Sequence, residues 1–206
     1  MITERTLIDN SSDALSMKTT LYECITRDGI REIRIATGYW DIPGMTLLYD
    51  ELKSFLEKEE TVIKLLIGRD PYVYANQIKN PIYKDHTYPN DFIRTDISNL
   101  EFTEEYENVV KLLLDYCDGD EAKFKIRLYN KNAEEESQFL HSKCYIFSGN
   151  DGHKWSLGIV GSSNFTQKGL EGNAELNYLE NDRHIIDWNE EAEGVGKGHI
   201  QWFEEK

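Results

Sequence analysis

Residues 139–179 read FLHSKCYIFSGNDGHKWSLGIVGSSNFTQKGLEGNAELNYL, and three apolar runs in this stretch predict three β-strands. The first two runs are FLHSKCYIFS (139–148) and KWSLGIVGS (154–162). They flank GNDG (149–152), whose residue types are typical of the turn in a β-hairpin. The third run is ELNYL (175–179). The stretch therefore predicts neighbouring strands of one sheet, two of them joined as a hairpin.

Polar side chains interrupt these runs at positions that can share one pocket. Because alternate side chains of a strand lie on the same face, His141 and Lys143 are expected to project together. The second run ends in Gly161-Ser162-Ser163-Asn164, a predicted strand-to-helix turn where backbone N–H groups and an Asn side chain can bind an anionic oxygen. The third run places three polar side chains on one face, Asn173, Glu175 and Asn177. This residue set is typical of phosphate-binding chemistry.

The rest of the chain shows helices and strands in alternation. Hydrophobic periodicity predicts helices over 11–27, 43–60 and 100–117, and strands over 33–40, 61–68 and 123–130. Strand, helix and strand in succession imply a right-handed parallel crossover, and so an α/β domain. Residues 69–98 contain three prolines and show no periodicity, which predicts a long loop or insertion. The acidic tail after residue 181 is predicted to form one or two helices.

Size and composition exclude several classes of protein. The chain has 206 residues, of which 39% are hydrophobic and 12% aromatic, enough for one domain with a sizeable core. No apolar run approaches the roughly 18–20 residues of a membrane-spanning helix, and the start MITERTLIDNSSD lacks the layout of a secretion signal. The 3 cysteines lie far apart, which argues against a disulfide framework or a structural zinc site. We therefore expect a cytoplasmic protein without a membrane partner.

The charge of the chain bears on its partners. Lys and Arg number 23 and Asp and Glu 38, so the formal net charge is −15, which disfavours an anionic partner. The acidic residues concentrate in segments 101–107, 134–136 and 187–193. The KFKIR segment (123–127) and the strand with His141 are expected to bring positive charge toward the cleft. We therefore expect any DNA binding to be weak and strongly dependent on salt.

The order of the polar motifs resembles the signature of the phospholipase D superfamily, which is H-x-K, four residues, Asp, then G-S-x-N and a later N-x-E. His141-Ser142-Lys143 matches the first part, Gly161 to Asn164 the second and Asn173-Ala174-Glu175 the third. Ser148 stands where the family has its aspartate, which is regarded as structural, and the hairpin turn is longer. The resemblance implies an α/β fold of phospholipase D type, a mixed and mostly parallel sheet flanked by helices. We expect a helical extension over 1–28 and the catalytic domain over 29–206.

A mechanism is implied by the same resemblance. The imidazole of His141 would attack phosphorus and form a covalent phosphohistidine, while a second histidine protonates the leaving oxygen. Lys143 and Asn164 would offset the charge of the phosphate oxygens, Ser162 would lie near the imidazole, and the carboxylate of Glu175 would orient it. No metal ion or cofactor is implied. Because each site needs two histidines and the chain has one motif, we expect a homodimer whose copies share one cleft.

Several functions agree with this sequence. We expect a metal-independent phosphodiesterase, in particular a DNA endonuclease of restriction type or associated with a helicase. One alternative is a catalytically weak or silent module that binds phosphate or DNA and dimerises within a larger helicase-type protein; a second is a phospholipid phosphodiesterase. Arg69, which directly follows an apolar strand, is a candidate phosphate contact. The charged end HIQWFEEK (199–206) favours the hypothesis of a fragment fused to, or associated with, a helicase or ATPase.

Overall fold

Seven strands form one mixed sheet in this computed structural model, which describes residues 7–68, 103–119, 121–129, 140–149, 156–186 and 198–206. The strands are β1 (Leu7–Ile8), β2 (Ile30–Thr37), β3 (Val62–Ile67), β4 (Phe124–Leu128), β5 (Cys144–Gly149), β6 (Ser156–Gly161) and β7 (Asn177–Glu180). Their order across the sheet is β1-β7-β6-β5-β2-β3-β4. The three strands predicted from residues 139–179 are therefore β5, β6 and β7, side by side.

Helices cover both faces of the sheet. They are α1 (Met17–Ile25), α2 (Ile42–Thr46), α3 (Tyr49–Glu57), α4 (Glu104–Cys117), α5 (Arg183–Ile186) and α6 (His199–Glu204), with a 3-10 turn at Asp13–Leu15 and a π-turn at Lys168–Gly172. None of the helices in these segments is long and apolar enough to cross a membrane.

Strand direction corrects one expectation. β2 pairs with β3 and β3 with β4 in parallel, whereas the other four pairings are antiparallel. The predicted parallel crossover is confirmed, but the expectation of a mostly parallel sheet is wrong. Parallel neighbours need a long connection, which helices supply between β2 and β3 and between β3 and β4. β5 and β6 pair as the hairpin that the sequence predicts, although most of the GNDG turn lies outside the described residues.

The boundaries of β2 and of the helix predicted after it differ from the predicted ones. β2 begins three residues before the predicted strand and ends at Thr37, ahead of Gly38. The helix predicted over 43–60 is two helices, α2 and α3, interrupted at 47–48. Asp41 fixes the start of α2, because its side chain accepts a hydrogen bond from Gly44 N at 2.7 Å. The long loop predicted over 69–98 lies outside the described residues.

Two hydrophobic clusters hold the helices against the sheet. On one face α1 to α4 pack on alternate strand residues, including Ile33, Ile35, Ile63, Leu65, Tyr145 and Phe147. On the other face Ile186 of α5 and Phe203 of α6 pack on Ala36, Cys144 and Ile146. Full burial of an aliphatic or aromatic side chain of this size stabilises the fold by about 1.5–3 kcal/mol. The sheet is therefore covered on both faces, and its strand ends are left to form a site.

The N-terminal segment contributes to both the sheet and the core. β1 pairs with β7 at one edge of the sheet, with Leu7 opposite Tyr178 and Ile8 opposite Asn177. Leu21 and Cys24 of α1 belong to the larger hydrophobic cluster. The segment 1–28 is thus in contact with the rest of the fold over its described part, and the domain boundary after residue 28 stays a prediction.

Candidate active site

The polar motifs meet at one end of the sheet, where β2 and β6 end and β5 and β7 begin. The register places Ala36 beside Cys144, Cys144 beside Val160, and Gly161 beside Asn177. Because these strands alternate in direction, segments far apart in sequence arrive at the same edge. Four chain segments therefore surround the candidate site.

Lys143 is the buried cation of the site. It is only 3% exposed, and its Nζ donates a hydrogen bond to the carbonyl oxygen of His141 at 2.6 Å. Burial lowers the pKa of the Lys143 ammonium, and the negative charge of Glu175 opposes part of that shift. The His141 side chain is exposed. The prediction that His141 and Lys143 lie within a strand is wrong, because β5 begins only at Cys144 and the H-x-K motif precedes it.

In the loop after β6, the side chain of Ser163 points into the core, and hydrogen bonds hold it there. Ser163 is fully buried, its N donates to Asn177 Oδ1 at 3.1 Å, and its Oγ accepts from Asn177 Nδ2 at 2.8 Å. Its carbonyl oxygen accepts from the Tyr145 hydroxyl at 2.8 Å. Burial raises the pKa of Tyr145 well above its usual range, so this hydroxyl stays a donor. The neighbours Ser162 and Asn164 are consequently left on the side of the site.

Glu175 is held by hydrogen bonds from two sides. The Ser162 hydroxyl donates to Glu175 Oε2, and the Asn173 amide donates to Oε1 at 3.2 Å. The same Ser162 oxygen accepts a hydrogen bond from Leu176 N at 2.9 Å. The structure thus brings the expected Ser162 and Glu175 together. The role of Glu175 in orienting the imidazole of His141 stays a prediction.

Asn164 is oriented by the end of β2. Its Oδ1 accepts a hydrogen bond from Tyr39 N at 3.1 Å and lies 3.3 Å from the Thr37 hydroxyl. Gly38 leaves space beside it, since a Cβ there would lie 3.3 Å from Asn164 Oδ1 and 3.5 Å from Lys143 Nζ. The side chains of Asn164 and Lys143 therefore both lie close to Gly38, with the amide oxygen of Asn164 turned toward the end of β2.

Ser148, at the position of the family's aspartate, lies away from this site. It is on the other face of the sheet, where Arg34 Nη1 donates to its Oγ at 3.1 Å. Arg34 also forms ion pairs with Glu32 at 2.8 Å and with Glu204 of α6 at 2.7 Å. The departure from the motif therefore falls on the packing of α6 and leaves the candidate site unchanged.

Two of the predicted positive side chains are not found at the site: one is outside the described residues and the other lies elsewhere in the fold. Arg69 lies outside the described residues. In the KFKIR segment, Lys123 precedes β4 and lies at the opposite end of the sheet from the site, where its Nζ donates to the carbonyl oxygens of Leu56 and Lys58. The expectation that Lys123 brings positive charge toward the cleft is therefore wrong. Over the described part of the chain, no cluster of three or more His, Cys, Asp or Glu side chains could hold a metal ion.

The sequence analysis did not predict the roles of two residues that support the site through contacts between distant segments. Thr37 was treated only as part of a strand, although it ends β2 next to the loop of Asn164. Asn177 was expected on a polar face aimed at the pocket, but it is 1% exposed and holds Ser163 from within the core. A polar residue at the last position of an apolar strand, directly before a glycine, is the signal that points to Thr37.

Comparison with known proteins places these features in a family. The family model described as "Cardiolipin synthase, PLD-like domain" matches residues 23–192. NucT from Helicobacter pylori is similar in structure, with 12% identity, a TM-score of 0.48 and coverage of 87% of this chain and 86% of NucT. A polyphosphate kinase from Porphyromonas gingivalis gives 9% identity and a TM-score of 0.49, over 95% of this chain and 28% of the kinase. No curated protein matches the chain.

Proposed function

The chain belongs to the family of phospholipase D-like domains, and we propose that it is a metal-independent phosphodiesterase that cleaves DNA through a covalent phosphohistidine. One observation carries the proposal. Lys143 and Asn164 both lie close to Gly38 at the strand ends, where Ser162 and Glu175 form a hydrogen-bonded pair, and Lys143 Nζ contacts the main-chain oxygen of His141. A buried cation at this edge of the sheet favours binding of a phosphate group.

The reaction follows from the chemistry of imidazole. Its unperturbed pKa of about 6.5 lets a histidine act as nucleophile, acid or base near neutral pH. A ring nitrogen of His141 forms a bond to phosphorus while the bond from phosphorus to the leaving oxygen breaks, and a second histidine donates a proton to that oxygen. The second histidine then takes a proton from water, whose oxygen attacks phosphorus and releases His141. Lys143 and Asn164 stabilise the negative oxygens throughout.

The second histidine comes, in this proposal, from a second copy of the chain. One H-x-K motif supplies one nucleophile, and the mechanism needs a partner imidazole on the opposite side of phosphorus. A two-fold axis beside the site brings the same patch of two copies together. The proposed enzyme is thus a homodimer with one shared cleft.

DNA is the substrate that we propose, and the charge of the chain shapes how it binds. The net charge of −15 leaves few favourable contacts to a nucleic-acid backbone outside the site. The same charge also opposes docking on an anionic membrane surface. Delivery to DNA by an associated helicase or ATPase would supply the affinity that this domain lacks.

The test is cleavage of plasmid and oligonucleotide DNA in excess chelator. We expect cleavage by the unmodified chain and a loss of about 10³-fold or more in His141→Ala, because the nucleophile is removed. Lys53→Ala removes an exposed lysine of α3 and is the control for Lys143→Ala. Quenching at alkaline pH preserves the acid-labile phosphohistidine for detection by mass spectrometry.

Each further result assigns a different function. Cleavage that needs magnesium, or that survives His141→Ala, contradicts the mechanism. Binding of DNA by both the unmodified chain and His141→Ala, with cleavage by neither, identifies a silent binding module. Vesicles of phosphatidylglycerol form the lipid arm, and release of their headgroup without cleavage of DNA identifies a phospholipid phosphodiesterase.

A further inference from the structure

Thr37 connects the end of β2 to the loop that carries Asn164. Its side chain is fully buried, and its hydroxyl donates to the carbonyl oxygen of Tyr39 at 2.6 Å. The same oxygen accepts a hydrogen bond from Phe165 N at 3.0 Å and lies 3.3 Å from Asn164 Oδ1. The Thr37 hydroxyl thus contacts both the segment that follows β2 and the loop that follows β6.

The contacts around Asn164 determine which end of its amide faces the site. Tyr39 N can only donate a hydrogen bond, so the atom that it meets at 3.1 Å must be the amide oxygen. With Oδ1 turned to the end of β2, the NH₂ group is left to face a ligand. An Asn with the opposite orientation would present an oxygen to the phosphate and would repel it.

The Thr37 hydroxyl supports that orientation in two ways. It fixes Tyr39 through its carbonyl oxygen, and Tyr39 N is the donor that Asn164 needs. It also fixes Phe165 N, the next residue after Asn164, and so the backbone from which the amide projects. Loss of the hydroxyl would leave two backbone groups without their partner and would let the amide of Asn164 rotate.

We propose that Thr37 is a positioning residue, which holds Asn164 so that its NH₂ group donates to an anionic oxygen of the substrate. The inference deepens the proposed function and rests on it, because it assigns Asn164 to a phosphodiester. Thr37 itself does not touch the substrate. Gly38, which follows it, keeps the space beside Asn164 and Lys143 empty of side chain.

A double-mutant cycle tests this role. Thr37→Val removes the hydroxyl at nearly constant shape, Thr37→Ser keeps it, and Thr20→Val is the matched control. Thr20 is also fully buried, and its hydroxyl donates at 2.9 Å to the carbonyl oxygen of Ser16 at the start of α1, with no contact to Asn164 or Tyr39 among the hydrogen bonds of the described residues. In single-turnover cleavage we expect Thr37→Val to be about tenfold slower or more, and Thr37→Ser and Thr20→Val to be within about twofold of the unmodified chain.

The cycle is completed in the background of Asn164→Ala. There Thr37→Val should cause no further loss of rate, because the amide that Thr37 positions is already absent. An equal loss in both backgrounds would overturn the proposal, and so would a Thr37→Ser variant as slow as Thr37→Val. Thermal unfolding of each variant identifies a loss of fold, and Thr37→Ser decides the case if Thr37→Val does not fold.

A binding measurement separates this inference from the proposed function. Orthovanadate, an analogue of phosphate, is titrated into the folded variants by calorimetry. Weaker binding by Thr37→Val, but not by Thr37→Ser or Thr20→Val, supports the positioning role even if no phosphodiester is cleaved and the proposed function fails. Equal binding by all of these variants, or no binding by the unmodified chain, overturns the role.

Discussion

Position 148 has a serine where the resemblance to the phospholipase D motif predicts an aspartate, and the surrounding residues show how the serine is accommodated. The position faces α6 on the side of the sheet opposite Lys143, and its Oγ accepts one hydrogen bond from the buried Arg34. Glu32 and Glu204 already provide negative charge to that guanidinium. A third carboxylate is therefore not needed to pair with Arg34.

Ser148→Ala is expected to lower stability and to leave catalysis unchanged. The substitution removes an acceptor from a buried Arg34 N–H, which costs about 1–3 kcal/mol of unfolding free energy. Urea unfolding measures the loss, and single-turnover cleavage below the unfolding temperature measures the chemistry. Ser156→Ala is the matched control: Ser156 pairs with Ser148 across the hairpin, and among the described residues its buried Oγ has no hydrogen-bond partner. A slower reaction with Ser148→Ala would contradict the structural role.

The candidate site residues differ in how far the sequence predicts them. The sequence predicts three of them, because the family signature consists of short linear motifs that contain His141, Lys143 and Asn164. The contact between Thr37 and Asn164 could not be predicted, because it spans 127 positions and arises only when β2 and β6 end at the same edge. Periodicity predicts the face of a strand on which a residue lies, but not the segment that packs against it.

Among the elements, strands were predicted better than their arrangement. The runs of apolar residues identify β2, β3, β5 and β6 because each is buried on at least one face. The direction of β5 relative to β2 depends on a connection that carries no such pattern, so the prediction of a mostly parallel sheet was wrong. The helix over 43–60 was overextended for a similar reason, since buried Leu48 continues the apolar pattern across the break between α2 and α3.

Ion pairs as well as the packing of Phe203 hold helix α6 against the sheet. Glu204 lies 2.7 Å from both Arg34 Nε and Lys64 Nζ. Burial raises the pKa of Glu204, but hydrogen bonds and charge from Lys64 and Arg34 outweigh burial and hold the pKa below its usual value of 4.5. The ionised carboxylate is therefore favoured by folding, and the attachment of α6 depends on pH.

Glu204→Gln is expected to remove a pH-dependent part of the stability. A lowered pKa in the folded state contributes stability above the unfolded value of 4.5, and this is lost as the pH falls through the folded value. The difference in unfolding free energy between the unmodified chain and Glu204→Gln should thus shrink from about pH 6 to about pH 3. Urea unfolding at several pH values measures it. Glu107→Gln, which breaks an exposed ion pair with Lys111, serves as the surface control.

A difference in unfolding free energy that stays constant over this pH range would contradict the role of Glu204.

The same titration also affects the packing of the sheet, because α6 and α5 together cover the face of the sheet that holds Cys144 and Ile146. Loosening of α6 at low pH should therefore be visible as faster hydrogen exchange in α6 itself before global unfolding. The strand ends at the candidate site would be affected only through β5.

For the whole molecule, the decisive property is the number of chains in one active cleft. If each cleft needs one His141 from each of two copies, a dimer that contains one His141→Ala chain is inactive. The activity of a randomised mixture then follows the square of the unmodified fraction, so an equal mixture retains about a quarter of the activity. Independent sites would retain about half of the activity.

Differently tagged copies, co-expressed and purified as mixed dimers, test the same point directly, since the shared cleft predicts that mixed dimers do not cleave DNA. Activity that falls in proportion to the unmodified fraction would contradict the shared cleft, as would sedimentation equilibrium that finds only monomer at the assay concentration.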